Sequence, residues 1–88
     1  MDIRMYRDVI LRIIAEVTKS STNKIWGGTK IDQLFSGQED DIWLYFEFCE
    51  RLEKEFAIKI SEQEQLQVLD MRLLELENFI SKKQNAVS

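Results

Sequence analysis

The chain has 88 residues, a formal net charge of −4 and a hydrophobic fraction of 44%, with no proline and no histidine. This length allows one domain, and the hydrophobic fraction supports a packed core and argues against disorder. The absence of histidine removes the commonest general base and metal ligand, and the single Cys49 cannot assemble a thiolate zinc site or an internal disulfide. We therefore expect one helical domain over residues 1–83 that is not an enzyme and holds no metal.

The negative charge is concentrated in the middle of the chain. Residues 38–65 carry nine acidic and three basic side chains, which gives −6, whereas residues 1–37 carry six basic and four acidic side chains, which gives +2. Residues 66–88 carry three of each sign. Nucleic-acid binding needs a basic face, so no nucleic-acid partner is expected, and an acidic stripe attracts basic proteins instead. No apolar run reaches about 18 residues, so no membrane contact is expected, and a lone cysteine fits the reducing cytoplasm.

The first predicted element is a helix from about Ile3 to Thr18. Its apolar side chains recur every three or four residues, which is the spacing of one helical face. Residues 20–39 then read as a long loop whose apolar residues pin it onto the helices. A short helical turn is expected near Ile31 to Phe35, and sharp bends are expected at Gly27-Gly28 and Ser36-Gly37.

The central helix is predicted to begin at Asp40 or Asp41 and to end near Phe56. Acidic residues at a helix start complement its dipole. A rotation of about 100° per residue predicts a core stripe on one face, with Cys49 as a buried structural thiol. The stripe consists of Ile42, Tyr45, Phe46, Cys49, Leu52 and Phe56, whereas Trp43, Leu44 and Phe48 fall at its edges.

Two further helices are predicted after the central one. Ser61 and Glu64 have the spacing of a capping box, which predicts a short helix to about Val68. Asp70 is the expected cap of the last helix, which should end near Lys82-Lys83, and residues 84–88 should form a frayed tail. The sequence therefore predicts an all-α domain with four helices.

This order of elements resembles the acyl carrier protein family. The stretch LEKEF at 52–56, followed by IKIS at 58–61, is similar to the end of that family's second helix and the cap of its short helix. The segment from Leu73 to Ile80 resembles its closing helix. The resemblance runs from Thr29 to Ile80, and it implies a four-helix acyl-carrier-protein-like bundle with a long loop between helices one and two.

The resemblance also identifies a missing residue. The family attaches 4'-phosphopantetheine to the serine of an Asp-Ser-Leu motif at the start of helix two. Counting back from Phe56 without gaps places that motif on Asp41-Ile42-Trp43, and Ile42 has no oxygen to modify. Residues 37–41, with the sequence GQEDD, are instead similar to the Gly-x-x-Asp-Asp stretch of some small bacterial acyl-carrier-like proteins. Ser36 is the alternative attachment site, although it also reads as a turn residue.

Three functions remain open at this point. The first is a carrier-like module without cofactor that docks a protein bearing a basic patch, such as an acyl-transfer or synthase enzyme, as a monomer or weak homodimer. The second is a genuine acyl or aminoacyl carrier modified at Ser36, and the third is a small acidic regulator or chaperone. For the first, the expected docking charges are Glu39, Asp40, Asp41, Glu47, Glu50 and Glu53, and the expected apolar contacts are Trp43, Leu44 and Phe48. The competing interpretation is that the long loop buries these three apolar side chains.

Overall fold

Helices account for nearly all of the regular structure that the computed structural model describes, which covers residues 3–36 and 41–87. The elements are α1 (Ile3–Thr18), α2 (Ile31–Phe35), α3 (Asp41–Phe56), α4 (Glu62–Leu69) and α5 (Leu73–Val87). The all-α prediction is confirmed for these ranges, as are the bounds of the first and central helices and the short turn at 31–35. Gly37, Glu39 and Asp40 lie outside the described residues. None of the described helices has the length and apolar character needed to cross a bilayer.

The core forms where α1 packs against α3 and α5. Ile10 and Ile13 of α1 are buried, and the Tyr6 ring lies 5.5 Å from the Phe56 ring of α3. The burial of an isoleucine side chain such as that of Ile10 or Ile13 stabilises the fold by roughly 2 kcal/mol. This packing holds the end of α3 against α1.

The buried face of α3 is rotated from the predicted one. Its buried residues are Tyr45, Phe48, Cys49, Leu52 and Phe56. The rotation follows from packing against α2. The centroid of the Phe35 ring lies 5.2 Å from that of Phe48 and 5.6 Å from that of Tyr45. The prediction that Ile42 and Phe46 belong to the core is wrong, since both are exposed.

The 22–30 loop is joined to the start of α5 by main-chain hydrogen bonds. The Leu73 and Leu74 amides donate to the carbonyls of Thr29 and Gly27 at 2.9 and 3.0 Å, and the Ile31 amide donates to the Met71 carbonyl at 2.9 Å. A helix start leaves several amides without partners, and here loop carbonyls accept two of them. The bend at Gly27-Gly28 is confirmed by the hydrogen bond from the Thr29 amide to the Trp26 carbonyl.

The predicted role of Asp70 is wrong. Asp70 follows α4 as its C-terminal cap, and its amide donates to the Gln67 carbonyl. The last helix begins only at Leu73, with Glu75 accepting a hydrogen bond from the Arg72 amide at 3.0 Å. The Glu75 carboxylate therefore binds the amide just before the helix, while the loop carbonyls accept from the first helical amides.

The last helix ends at Val87 rather than near Lys82-Lys83. Gln84 explains part of the extension, because its side-chain amide donates to the Phe56 carbonyl at 3.0 Å and its side-chain oxygen accepts from the Tyr6 hydroxyl at 2.6 Å. These bonds hold α5 against the end of α3 and against α1. The extra turn therefore has partners that the local sequence does not reveal.

The capping box at the start of α4 is confirmed. The Ser61 hydroxyl accepts from the Glu64 amide at 3.2 Å, and the Glu64 carboxylate accepts from the Ser61 amide at 3.0 Å. Lys83 of α5 adds an ion pair to the same carboxylate at 2.6 Å. The Lys83 ammonium, together with the Ser61 amide, lowers the pKa of Glu64 below its ordinary value.

Candidate docking face on the central helix

The first two turns of α3 expose a group of large apolar side chains. The exposed fractions are 58% for Ile42, 68% for Trp43 and 44% for Phe46. The rings of Trp43 and Phe46 meet edge to face with their centroids 6.2 Å apart. We call these three residues the α3 patch. Exposed aromatic clusters of this kind are enriched in protein interfaces.

Two of the predicted apolar docking residues do not belong to this patch. Phe48 is completely buried and makes ring contacts with Phe35 and Tyr45, so its side chain is part of the core and is not available to a partner. Leu44 is half-buried and packs against the core cluster. The competing interpretation, in which the apolar edge of the helix is covered, therefore applies to Phe48 and not to Trp43.

The carboxylates of α3 differ in their partners. Glu47 lies 3.6 Å from Arg51, which also pairs with Glu16 of α1 at 2.6 Å. Glu53 accepts a hydrogen bond from the Ile60 amide at 2.9 Å and so supports the connection to α4.

Asp41 and Glu50 are exposed and form no ion pair within the part of the chain that the structure describes. At about 100° per residue, Glu50 and Glu47 share the outward side of α3 with Trp43. The outward side thus combines an aromatic ring with negative charge.

Cys49 and Tyr45 are buried beneath this face. Burial raises the pKa of the Cys49 thiol to about 11, so the thiol stays protonated at neutral pH. Burial also raises the pKa of Tyr45, with a further contribution from its hydrogen bond with Cys49, and the Tyr45 hydroxyl donates to the Gln65 carbonyl. The prediction that Cys49 is buried is confirmed.

A cleft of about 450 Å³ opens beside the start of α3, between α2 and the end of α4. Ser36, the alternative attachment site, lines this cleft together with Asp41 and Ile42. The aligned position itself does not fit phosphopantetheine, because Ile42 offers no hydroxyl. The full lining is Asp32, Gln33, Phe35, Ser36, Asp41, Ile42, Tyr45 and Leu69.

A partly buried ion pair joins α1 to α5, and the sequence did not indicate it. Glu77 is fully buried on α5, and its carboxylate accepts from Arg7 of α1 at 2.5 and 3.4 Å. The hydrogen bond with Glu77 raises the pKa of Arg7. The signal that could have found this pair is the position of Glu77 on the apolar side of α5, between Leu73 and Ile80. Arg7 therefore neutralises a buried carboxylate and joins α1 to α5, which is a structural role.

Within residues 3–36 and 41–87, no group of three or more acidic or cysteine side chains is arranged to hold a metal ion. No protein-family model, curated protein or solved structure matches this chain significantly.

Proposed function

We propose that this protein is an acyl-carrier-protein-like module that docks a basic protein partner through the outward side of α3, without phosphopantetheine at Ile42. The observation that carries the proposal is the α3 patch, in which Trp43 and Phe46 are exposed, with the exposed Glu50 one helical turn after Phe46. Aromatic side chains dominate the binding energy of interfaces, whereas charged groups around them steer the encounter.

The acyl-carrier-like arrangement is part of this proposal. Four helices (α1, α3, α4 and α5) are longer than the single short turn of α2, which lies within the connection between the first two of them. The resemblance of residues 52–61 to the family supports the same arrangement, because this stretch spans the end of α3 and the capping box of α4. A docking role on α3 fits a partner such as an acyl-transfer or synthase enzyme.

Charge complementarity favours a basic protein over a second copy of this chain. In an isologous dimer formed through the α3 patch, Glu50 and Glu47 of each copy would approach those of the other copy. Like charges brought together at an interface oppose association. A partner with lysine or arginine around an apolar socket would satisfy the same carboxylates.

A site-specific photo-crosslinking experiment identifies the partner. A photoreactive benzoylphenylalanine is placed at Trp43 in one variant and at Trp26 in another, because the two tryptophans are equally exposed at 68%. We expect a protein crosslinked from position 43 and absent from position 26. Equal crosslinking from both positions, or none from position 43, contradicts the proposal.

The identified partner is then purified and its affinity measured for two matched charge reversals. Glu50→Lys alters the proposed face, whereas Asp8→Lys alters an exposed carboxylate on α1. We expect Glu50→Lys to weaken binding about tenfold and Asp8→Lys to have little effect beyond the change in net charge. Equal weakening by both variants would indicate attraction to net charge alone.

A second candidate is a phosphopantetheine carrier modified at Ser36. The observation that favours it is that Ser36 is exposed and lines the cleft beside the start of α3. The chain is incubated with coenzyme A and a broad-specificity phosphopantetheinyl transferase, and its intact mass is measured. A mass gain that disappears in Ser36→Ala supports this candidate, whereas an unchanged mass supports the module without cofactor.

A further inference from the structure

The cleft beside the start of α3 has the dimensions of a small-molecule site. Its volume of about 450 Å³ falls within the range of about 300–1,000 Å³ that is typical of such sites. Its floor is apolar, because Phe35 and Tyr45 are buried aromatic residues and Leu69 is half-buried. A ligand with a hydrocarbon body would therefore be held by contacts that the exposed α3 patch cannot provide.

The rim of the cleft is negatively charged. Asp32 and Asp41 are exposed carboxylates that line it, and neither forms an ion pair among the described residues. The remaining polar lining consists of Gln33 and Ser36, which are uncharged. No lysine or arginine is among the described lining residues, so the carboxylates have no cation beside them in the cleft.

The helix dipole does not reverse this charge. The start of α3 contributes roughly half a positive charge near Asp41. The two carboxylates together carry a formal charge of −2. The charges of the described lining residues therefore favour a cation and oppose a phosphate or carboxylate ligand, which also counts against a phosphopantetheine arm on Ser36.

We propose that this cleft binds a small amphipathic organic cation, an ammonium group carried on an apolar body. The apolar body packs on Phe35, Tyr45 and Leu69, and the ammonium lies at the rim between Asp32 and Asp41. The cleft shares Ile42 with the α3 patch, but its floor and its two carboxylates are distinct from Trp43, Phe46 and Glu50, so the inference does not depend on docking through α3.

Three probes of nearly equal shape test the charge requirement. They are 4-phenylbutylamine, which is cationic, 4-phenylbutanol, which is neutral, and 4-phenylbutyrate, which is anionic. Binding is followed by changes in amide chemical shifts, with Gln33, Ile42 and Leu69 reporting on the cleft. For probes of this size we expect a dissociation constant on the order of 1 mM for the amine. We expect the alcohol to bind about fivefold more weakly and the carboxylate more weakly still.

Paired variants separate the charge from the shape of the cleft. In the double variant with Asp32→Asn and Asp41→Asn, the cleft should lose its preference for the amine, which should then bind as weakly as the alcohol. The alcohol itself should bind the double variant as it binds the natural chain, which also demonstrates that the cleft is intact. Asp8→Asn on α1 removes one carboxylate elsewhere and should leave the preference unchanged. Raising the salt concentration should weaken amine binding and spare the alcohol.

Several results would overturn the proposal. Equal affinity for the three probes would remove the charge requirement, and tighter binding of 4-phenylbutyrate would reverse it. Shift changes that avoid Gln33, Ile42 and Leu69 would place the ligand elsewhere. The absence of saturable changes at millimolar amine would show that the cleft is not a ligand site.

Discussion

The two tryptophans of this protein are equally exposed, at 68% each, but their surroundings differ. Trp26 lies in the 22–30 loop, and its ring covers Gly28 so closely that a Cβ added there would come within 2.3 Å of the ring. Trp43 lies on α3, and its ring contacts Phe46, which is itself exposed. The Trp26 ring thus packs on the turn of its own loop, whereas the Trp43 ring belongs to a patch that faces solvent. Exposure alone does not identify a docking residue, and the partners of the ring decide between the two roles.

The largest expected effect contrasts Phe48 with Trp43 on the same helix. Phe48→Ala should lower the free energy of unfolding by about 4 kcal/mol, because it removes a fully buried ring. Trp43→Ala should change it by less than about 0.5 kcal/mol. Urea unfolding followed by circular dichroism measures both, and Phe48→Leu serves as a milder variant if Phe48→Ala does not fold. Similar losses in Phe48→Leu and Trp43→Ala would mean that Trp43 is a core residue.

The next largest effect concerns the Arg7–Glu77 ion pair, whose Arg7 guanidinium lies close to Gly27 of the 22–30 loop. Arg7→Ala leaves the buried Glu77 carboxylate without its partner and should cost about 3 kcal/mol of stability. The matched control is Arg12→Ala, which removes an exposed pair with Glu55 and should cost less than about 1 kcal/mol. A Cβ at Gly27 would lie 3.1 Å from the Arg7 guanidinium, so Arg7→Ala should also loosen this loop. Equal losses in the two variants would contradict a structural role for the buried pair.

Removing each tryptophan ring then compares the two regions directly. Trp26→Ala should cost about 1 kcal/mol, because the part of the ring that is buried against the Gly28 turn is lost. It should also speed hydrogen exchange at the Leu74 amide, which donates to the Gly27 carbonyl. Trp43→Ala should leave that exchange rate unchanged. Faster exchange at Leu74 in Trp43→Ala would indicate that the two regions are coupled.

The smallest expected effect concerns the stability that Glu64 contributes, and it involves neither tryptophan. Glu64 supports α4 through the capping box and Lys83, and its pKa is lowered in the folded state. A lowered pKa contributes stability that is present above the unfolded-state value and is lost as the pH falls through the folded-state value. Glu64→Gln should therefore cost less than about 1 kcal/mol at pH 7. The difference from the natural chain should vanish at strongly acidic pH, as measured by urea unfolding over a pH series.

Local signals predicted much of this fold. The apolar spacing of α1, the acidic start of α3 and the Ser61 capping box are short-range patterns, and each indicated the right element. Rotation about the α3 axis was not predictable in the same way. Whether Phe46 or Phe48 faces inward depends on Phe35, which reaches α3 from the short helix α2, in a segment with no clear apolar periodicity. Rotation of a helix with apolar residues on several sides is set by its neighbours and not by its own sequence.

The site was predicted only in part for the same reason. Trp43 and Glu50 were expected on the docking side and are exposed there, but Phe48 was also expected and is buried. The first amides of α5 donate to carbonyls of the 22–30 loop, which no local motif marks, and Asp70 was chosen wrongly. The Arg7–Glu77 pair joins residues that are far apart in the chain, and a charge within an apolar helix face was its only local sign.

The most direct test of docking through α3 compares the affinities of Trp43→Ala and Trp26→Ala for the partner crosslinked from position 43. Isothermal titration of both variants and of the natural chain gives the three dissociation constants. We expect Trp43→Ala to weaken binding by about tenfold or more, as for a central aromatic residue of an interface, and Trp26→Ala to bind like the natural chain. Unchanged affinity in Trp43→Ala, or an equal loss in Trp26→Ala, would contradict the account.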